Sequence, residues 1–102
     1  MKDLGALQRM AREMQANMER AQTELASATV QGTAGGGAVV VTMTGTQDCT
    51  GVTIAKDAVD PEDVDTLQVL VLAAVKDALA KSKELAAQRL GSVTGGLKLP
   101  GM

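Results

Sequence analysis

From Leu4 to Ala28 apolar residues recur at alternating spacings of three and four, through Leu4, Leu7, Ala11, Met14, Met18, Ala21, Leu25 and Ala28. This is a heptad seam held over more than three repeats, and no proline interrupts it, so the spacing predicts one amphipathic helix of about 25 residues, about 37 Å long. A chain of 102 residues builds only a thin core, burying about 65% of its unfolded surface by interpolation. The helix therefore outreaches the core and must project. A projecting apolar stripe favours association, because packing against another helix buries area that is otherwise left in water. The seam uses Met and Ala where a self-sufficient coiled coil uses Leu and Ile, which predicts helix-on-helix packing rather than a free-standing zipper.

After Ala28 the apolar period changes from 3.6 to 2. Thr29 to Thr33 reads as a short strand, Ala34-Gly35-Gly36-Gly37 as a turn, and Ala38 to Thr44 as a second strand with Val39, Val41 and Met43 on one face and Val40, Thr42 and Thr44 on the other. Gly45 to Gly51 reads as the next turn and Val52 to Ala55 as a third strand, with Val52 and Ile54 inward. The result is an antiparallel meander with one apolar face, which needs a helix on it, and one threonine-rich face.

That helix has a start signal in Asp60 as N-cap, Pro61 at the first helical position, and Glu62 and Asp63 in the first turn, where the dipole favours acids. It is expected to run to about Leu90, with Gly91 as its stop. Its first half, from Val64 to Leu79, carries apolar residues on more than one side, which implies two neighbours: the sheet, and a helix that a second chain can supply. Its second half narrows to Leu85, Ala86 and Leu90 among basic residues and reads as a second arm. The order helix, three-stranded antiparallel meander, helix is an α+β fold, a single domain over residues 1–91. The glycine-rich tail, residues 92–102, lacks periodicity and is expected to be mobile at least in part.

The composition removes most enzyme classes. With no histidine and no aromatic residue, the chain lacks the usual general base near neutral pH, base-stacking platforms and aromatic cages. Cys49 is the single cysteine, which fits a reducing cytosol better than a secreted scaffold. The longest apolar run, Val69 to Val75, is far short of the roughly 20 residues that span a bilayer. Met1-Lys2-Asp3-Leu4 opens directly into a charged amphipathic pattern, without the apolar stretch of a signal peptide. These features predict a cytoplasmic protein without a membrane partner.

Each candidate chemical site has a structural alternative that fits better. Gly35-Gly36-Gly37 is not followed by Gly-Lys-Ser/Thr and lies between strands, so it reads as a hairpin turn and not as a phosphate cradle. Cys49 has no histidine or second cysteine to activate it or complete a metal site. Asp57, Asp60, Glu62, Asp63 and Asp65 suit helix capping and a solvated acidic edge, and lack the loop spacing of a calcium site. Met14 and Met18 fall on the seam as packing residues, with Met10 beside it. No cofactor, metal, catalytic residue or small-molecule substrate is indicated.

The net charge of −2 conceals an uneven distribution. Residues 1–45 are neutral, 46–65 carry −5, and 66–102 carry +3. Arg9, Arg12 and Arg20 lie on the first helix, Lys76, Lys81, Lys83 and Arg89 on the second, and Lys98 on the tail. By charge alone these read as solvated helix faces, because Glu13, Glu19, Glu24 and Glu84 neutralise them locally.

Leu7 to Gln15 in the first arm, Val30-Gln31-Gly32 before Ala34-Gly35-Gly36-Gly37, the valine-rich Val39 to Gly45 and Val52-Thr53-Ile54 resemble the YbaB/EbfC family of bacterial nucleoid-associated proteins. The acidic Asp60 to Asp65 entry, Ala73-Ala74 to Asp77-Ala78, Thr94-Gly95-Gly96 and Leu99-Pro100-Gly101-Met102 extend the resemblance over essentially the whole chain. It implies a non-enzymatic homodimer in which strands of two subunits build a central sheet and the helices project as paired arms. It also implies double-stranded DNA as partner, in the cytoplasmic nucleoid, with effects on nucleoid organisation and gene expression. On that reading Arg9, Arg12, Arg20, Lys76, Lys81, Lys83, Arg89 and Lys98 contact phosphates, twice over in a dimer, with little base readout. This chain departs from the family's lysine-rich first helix, its arm carrying Arg9, Arg12 and Arg20 beyond Lys2, balanced by acids. The alternative is a protein-interaction or scaffold dimer whose Met/Ala arms clasp another protein and whose DNA affinity is incidental.

Overall fold

A computed structural model describes residues 2–93. The elements are α1 (Lys2–Ser27), β1 (Thr29–Ala34), β2 (Val39–Thr44), β3 (Cys49–Ile54), a single 3-10 turn (Lys56–Ala58) and α2 (Val64–Val93). The three strands form one antiparallel sheet in the order β1-β2-β3, so the expected helix, meander, helix order is the fold. The radius of gyration, 19.8 Å, far exceeds the roughly 13 Å of a compact chain of about 100 residues. The excess comes from the helices, which run about 39 and 45 Å against a sheet of six-residue strands.

The core forms where α2 crosses the sheet. Val39 and Val41 are fully buried, each contributing about 1.5–3 kcal/mol, together with Met43, Ala74 and Ala78. The alternation read from β2 is therefore correct. The helix sits close because β1 presents Gly32 to it: a Cβ there would collide with the Ala74 carbonyl oxygen and the Ala78 backbone nitrogen. Small residues on both partners let α2 lie against the strand. The other sheet face, including Thr29, Gln31, Thr33, Thr42 and Thr53, carries no helix among the described residues.

The turns follow their residues. Gly35, Gly36 and Gly37 all have positive φ, at 64°, 68° and 96°, which only glycine adopts without strain. Between β2 and β3, Thr44 Oγ1 accepts from the Asp48 N–H at 3.1 Å, and Thr44 N–H donates to Asp48 O at 2.8 Å. The turn is thus shorter than expected, and β3 begins at Cys49 rather than Val52, with Thr50 left over as a bulge between the pairs Thr42↔Gly51 and Met43↔Cys49.

Val52 and Ile54 pair with Val41 and Val39, so they share the apolar face. They are nonetheless 52% and 38% exposed. The expectation that they point into a core fails in this chain because α2 lies over β1 and β2 and stops short of β3.

Both ends of α2 also differ from expectation. Asp60 does not cap it: its Oδ1 accepts from Glu62 N–H at 3.0 Å and its carbonyl from Asp63 N–H at 2.9 Å, closing a turn one step earlier. Asp63 takes the capping role, with Thr66 N–H donating to its Oδ1 at 3.3 Å and Thr66 Oγ1 to its Oδ2 at 2.7 Å. At the other end the helix continues through Gly91 to Val93, since glycine in a helix costs only about 1 kcal/mol and does not by itself stop one. Residues 92 and 93 therefore belong to the helix, and the rest of the expected tail lies outside the described residues.

Candidate nucleic-acid interface

The arms grow from one end of the sheet. There Ser82, fully buried, donates from Oγ to the Thr44 carbonyl at 2.7 Å, tying α2 to the end of β2. Gly45 N–H donates to the carbonyls of Leu25 at 2.9 Å and Ala28 at 3.0 Å, so a turn residue satisfies acceptors that the C-terminus of α1 leaves open. The Leu25 side chain lies where a Cβ on Gly45 would go. Past this junction Arg89 Nη1 meets Glu24 Oε2 at 3.1 Å, which sets the two helices side by side.

Beyond the junction α1 loses its cover. Ala21 and Leu25 are buried and Met18 is half-buried, but Met14, Met10, Leu7 and Leu4 are exposed. Met14 was expected on a packed seam; it is 39% exposed. Arg9, Arg12 and Arg20 are all exposed on this helix. At about 100° per residue they fall within about 80° of one another, on the side away from the apolar seam, and span about 16 Å along the axis. No ion pair among the described residues engages them.

The basic residues of α2 divide. Lys76 and Lys83 are exposed and, two turns apart, share the stripe that faces away from the sheet, again outside any ion pair among the described residues. Lys81 is held: its Nζ lies 3.0 Å from Asp77 Oδ2 and donates to Gln31 O at 3.0 Å. Arg89 is occupied by Glu24. Lys98 lies outside the described residues. Asp77 has its carboxyl held below the ordinary value of 3.8 by the Thr33 N–H it accepts at 3.0 Å, and by the Lys81 hydrogen bond and charge. The sequence held no visible signal for Asp77, Ser82 or Gly32 as fastening residues beyond the family pattern, because their partners are tens of positions away.

Acidic residues take the other end. Ala55 N–H bonds Ala38 O at 2.8 Å beside the glycine hairpin, and Asp57, Asp60, Glu62, Asp63 and Asp65 follow from there into the start of α2. Only Asp48 of the −5 block lies at the arm end. Cys49 is an exposed free thiol, and no group of residues that could hold a metal occurs among the described residues. None of the described helices is long and apolar enough to cross a membrane.

A projecting helix that displays three exposed arginines, outside any ion pair among the described residues, is the feature to set beside known proteins. Residues 1–97 match the model of the YbaB/EbfC DNA-binding family. The chain belongs to that family. It is 54% identical over 95 residues to a nucleoid-associated protein of Roseiflexus castenholzii, covering 93% of this chain and 94% of that protein. A nucleoid-associated protein of Rhodococcus erythropolis is 49% identical over 102 residues, covering 98% and 91%. Among solved structures, an uncharacterized protein from Helicobacter pylori shares the fold of this YbaB/EbfC member with a TM-score of 0.72 at 19% identity, covering 96% of this chain and 97% of the other.

Proposed function

We propose that this YbaB/EbfC member is a non-enzymatic, nucleoid-associated homodimer that binds duplex DNA mainly through phosphates and alters its conformation, acting in the cytoplasmic nucleoid on its organisation and on gene expression. The observation that carries the reading is the ridge of Arg9, Arg12 and Arg20, exposed, outside any ion pair among the described residues and displayed on a projecting helix. Lys76 and Lys83 extend it, while Lys81 and Arg89 reach a phosphate only by giving up Asp77 and Glu24. Lys98 would add a contact from the tail. Guanidinium groups bind phosphate oxygens bidentately, and a chain without aromatic residues has no stacking platform, so backbone contacts dominate. The acidic start of α2 marks the side that DNA avoids.

Self-association is supported by apolar area that one chain leaves open: Val52 and Ile54 on β3, and Val69 and Leu72 on the outer side of α2, 65% and 55% exposed. Light scattering should give a mass near twice 10.4 kDa; a cooperatively folding monomer at micromolar concentration contradicts the dimer. The DNA reading is tested by anisotropy titrations on two unrelated duplexes at several salt concentrations. Log K should fall with log salt at about −0.9 per neutralised phosphate, alike for both sequences. Binding insensitive to salt, or dependent on one base pair, defeats the phosphate mechanism. The bare stripe of Leu4, Leu7, Met10 and Met14 favours a second reading, an arm that clasps another protein, and no DNA binding at low salt would select it.

A further inference from the structure

The two edges of the sheet are finished differently. Ala55 bonds Ala38, and backbone direction alternates along each antiparallel strand. Gln31 and Thr33 of β1 therefore turn their backbone groups outward, as do Val52 and Ile54 of β3. On β1 two of these groups are occupied. Thr33 N–H donates to Asp77 Oδ2 at 3.0 Å, Gln31 O accepts from Lys81 Nζ at 3.0 Å, and the two side chains pair with each other at 3.0 Å. Both come from α2, one turn apart. The strand itself, Thr-Val-Gln-Gly-Thr-Ala, has no charge, proline or bulge of its own to discourage pairing, so the protection is supplied wholly by the helix. On β3, Cys-Thr-Gly-Val-Thr-Ile is equally uncharged, and no side-chain bond among the described residues closes its outer edge at Val52 or Ile54.

We infer that Asp77 and Lys81 act as an edge guard, restricting strand addition by a second copy of this chain to β3, so that assembly closes as a pair. The inference rests on the self-association proposed above. Pairing β3 with β3 of another copy uses one edge of each and ends at two, whereas pairing β3 with β1 leaves a free edge at both ends and propagates. A two-fold axis normal to the sheet at β3 keeps both α2 helices on the same face, where they flank the exposed Val52 and Ile54 of both strands. The second copy is thus the occupant whose surfaces match reciprocally. A docking strand at β1 would have to displace two charged side chains from backbone bonds and strip them of water, which blocks the propagating mode.

The test is sedimentation velocity on the full chain over a wide concentration range, comparing wild type, Asp77→Ala/Lys81→Ala, and the same double variant with Val52→Pro. Proline at 52 removes an outward N–H without breaking a bond to β2. Wild type should stay at twice 10.4 kDa. The double variant should grow beyond that mass as concentration rises, and adding Val52→Pro should abolish growth. A double variant with wild-type mass at every concentration and unchanged circular dichroism overturns the guard, as does growth that survives Val52→Pro. Should the double variant lose helicity, Lys81→Met, which leaves the Asp77 bond to Thr33 in place, is held to the same outcomes. A monomeric wild type refutes the dimer but not the guard, which is then judged on whether the variant alone associates.

Discussion

The same heptad seam runs through both halves of α1, yet the halves live in different environments. Ala21 and Leu25 are 5% and 3% exposed, whereas Leu4, Leu7 and Met14 are 58%, 59% and 39% exposed. Periodicity states which side of a helix is apolar, but cover is a property of what lies opposite. Near the sheet, Gly45 leaves room for Leu25 and caps the helix end, and α2 runs alongside; farther out the seam is exposed. The proximal half belongs to folding and the distal half is left for partners.

The comparison breaks most sharply at Leu25. Leu25→Asp places an unpaired carboxylate against Gly45 and should cost several kcal/mol, enough to abolish cooperative unfolding; Leu25→Ala should cost about 2–5 kcal/mol. Leu7→Asp, the same change on the same seam, should stay within about 0.5 kcal/mol of wild type in urea denaturation. Equal losses at both positions would show the distal stripe already covered in the purified protein, and would remove it as a surface for another protein.

Charge reversal separates the halves from the other side. Arg9→Glu with Arg12→Glu should leave the melting temperature unchanged. It should weaken binding to every duplex by about tenfold or more and flatten the salt slope by about 0.9 for each phosphate no longer neutralised. A variant that binds as wild type in an anisotropy titration would remove the distal arm from the DNA interface.

These residues also show how much was readable beforehand. Arg9 and Arg12 fell on the outer face by spacing alone, and the turn of α1 into β1 followed from the change of period. Asp77 stands within i,i+4 reach of Lys81, but the bonds to Gln31 and Glu24 were not readable, since these lie 50 and 65 positions from Lys81 and Arg89.

A third experiment addresses how the base is fastened. The Asp77 carboxyl is held below 3.8 in the folded chain, so its contribution is full above that value and is lost as the pH falls through the lowered one. Urea midpoints should therefore decline in acid more steeply for wild type than for Asp77→Asn, which has no such charge to lose. Parallel curves would mean that the bond to Thr33 matters little. The smallest effect is expected at Glu24, whose exposed pair with Arg89 should be worth about 0–1 kcal/mol. Glu24→Gln should barely move the unfolding midpoint and should, if anything, strengthen DNA binding by releasing Arg89.

By itself the sequence determined what is local: two amphipathic helices, a meander with valines on one face, a glycine hairpin, and a polar outer side on the first arm that carries Arg9, Arg12 and Arg20. These follow from side-chain period and backbone sterics, which act over a few residues. Only the tertiary structure decided which apolar positions are covered, with Val41 buried and its neighbour Val52 left open. It also decided that Asp63 rather than Asp60 caps α2, that Gly32 lets Ala74 and Ala78 approach, and that Asp77 and Lys81 close one edge of the sheet. Each of those depends on where α2 comes to rest, a balance of packing and hydrogen bonds between residues far apart in the chain that no spacing along it records.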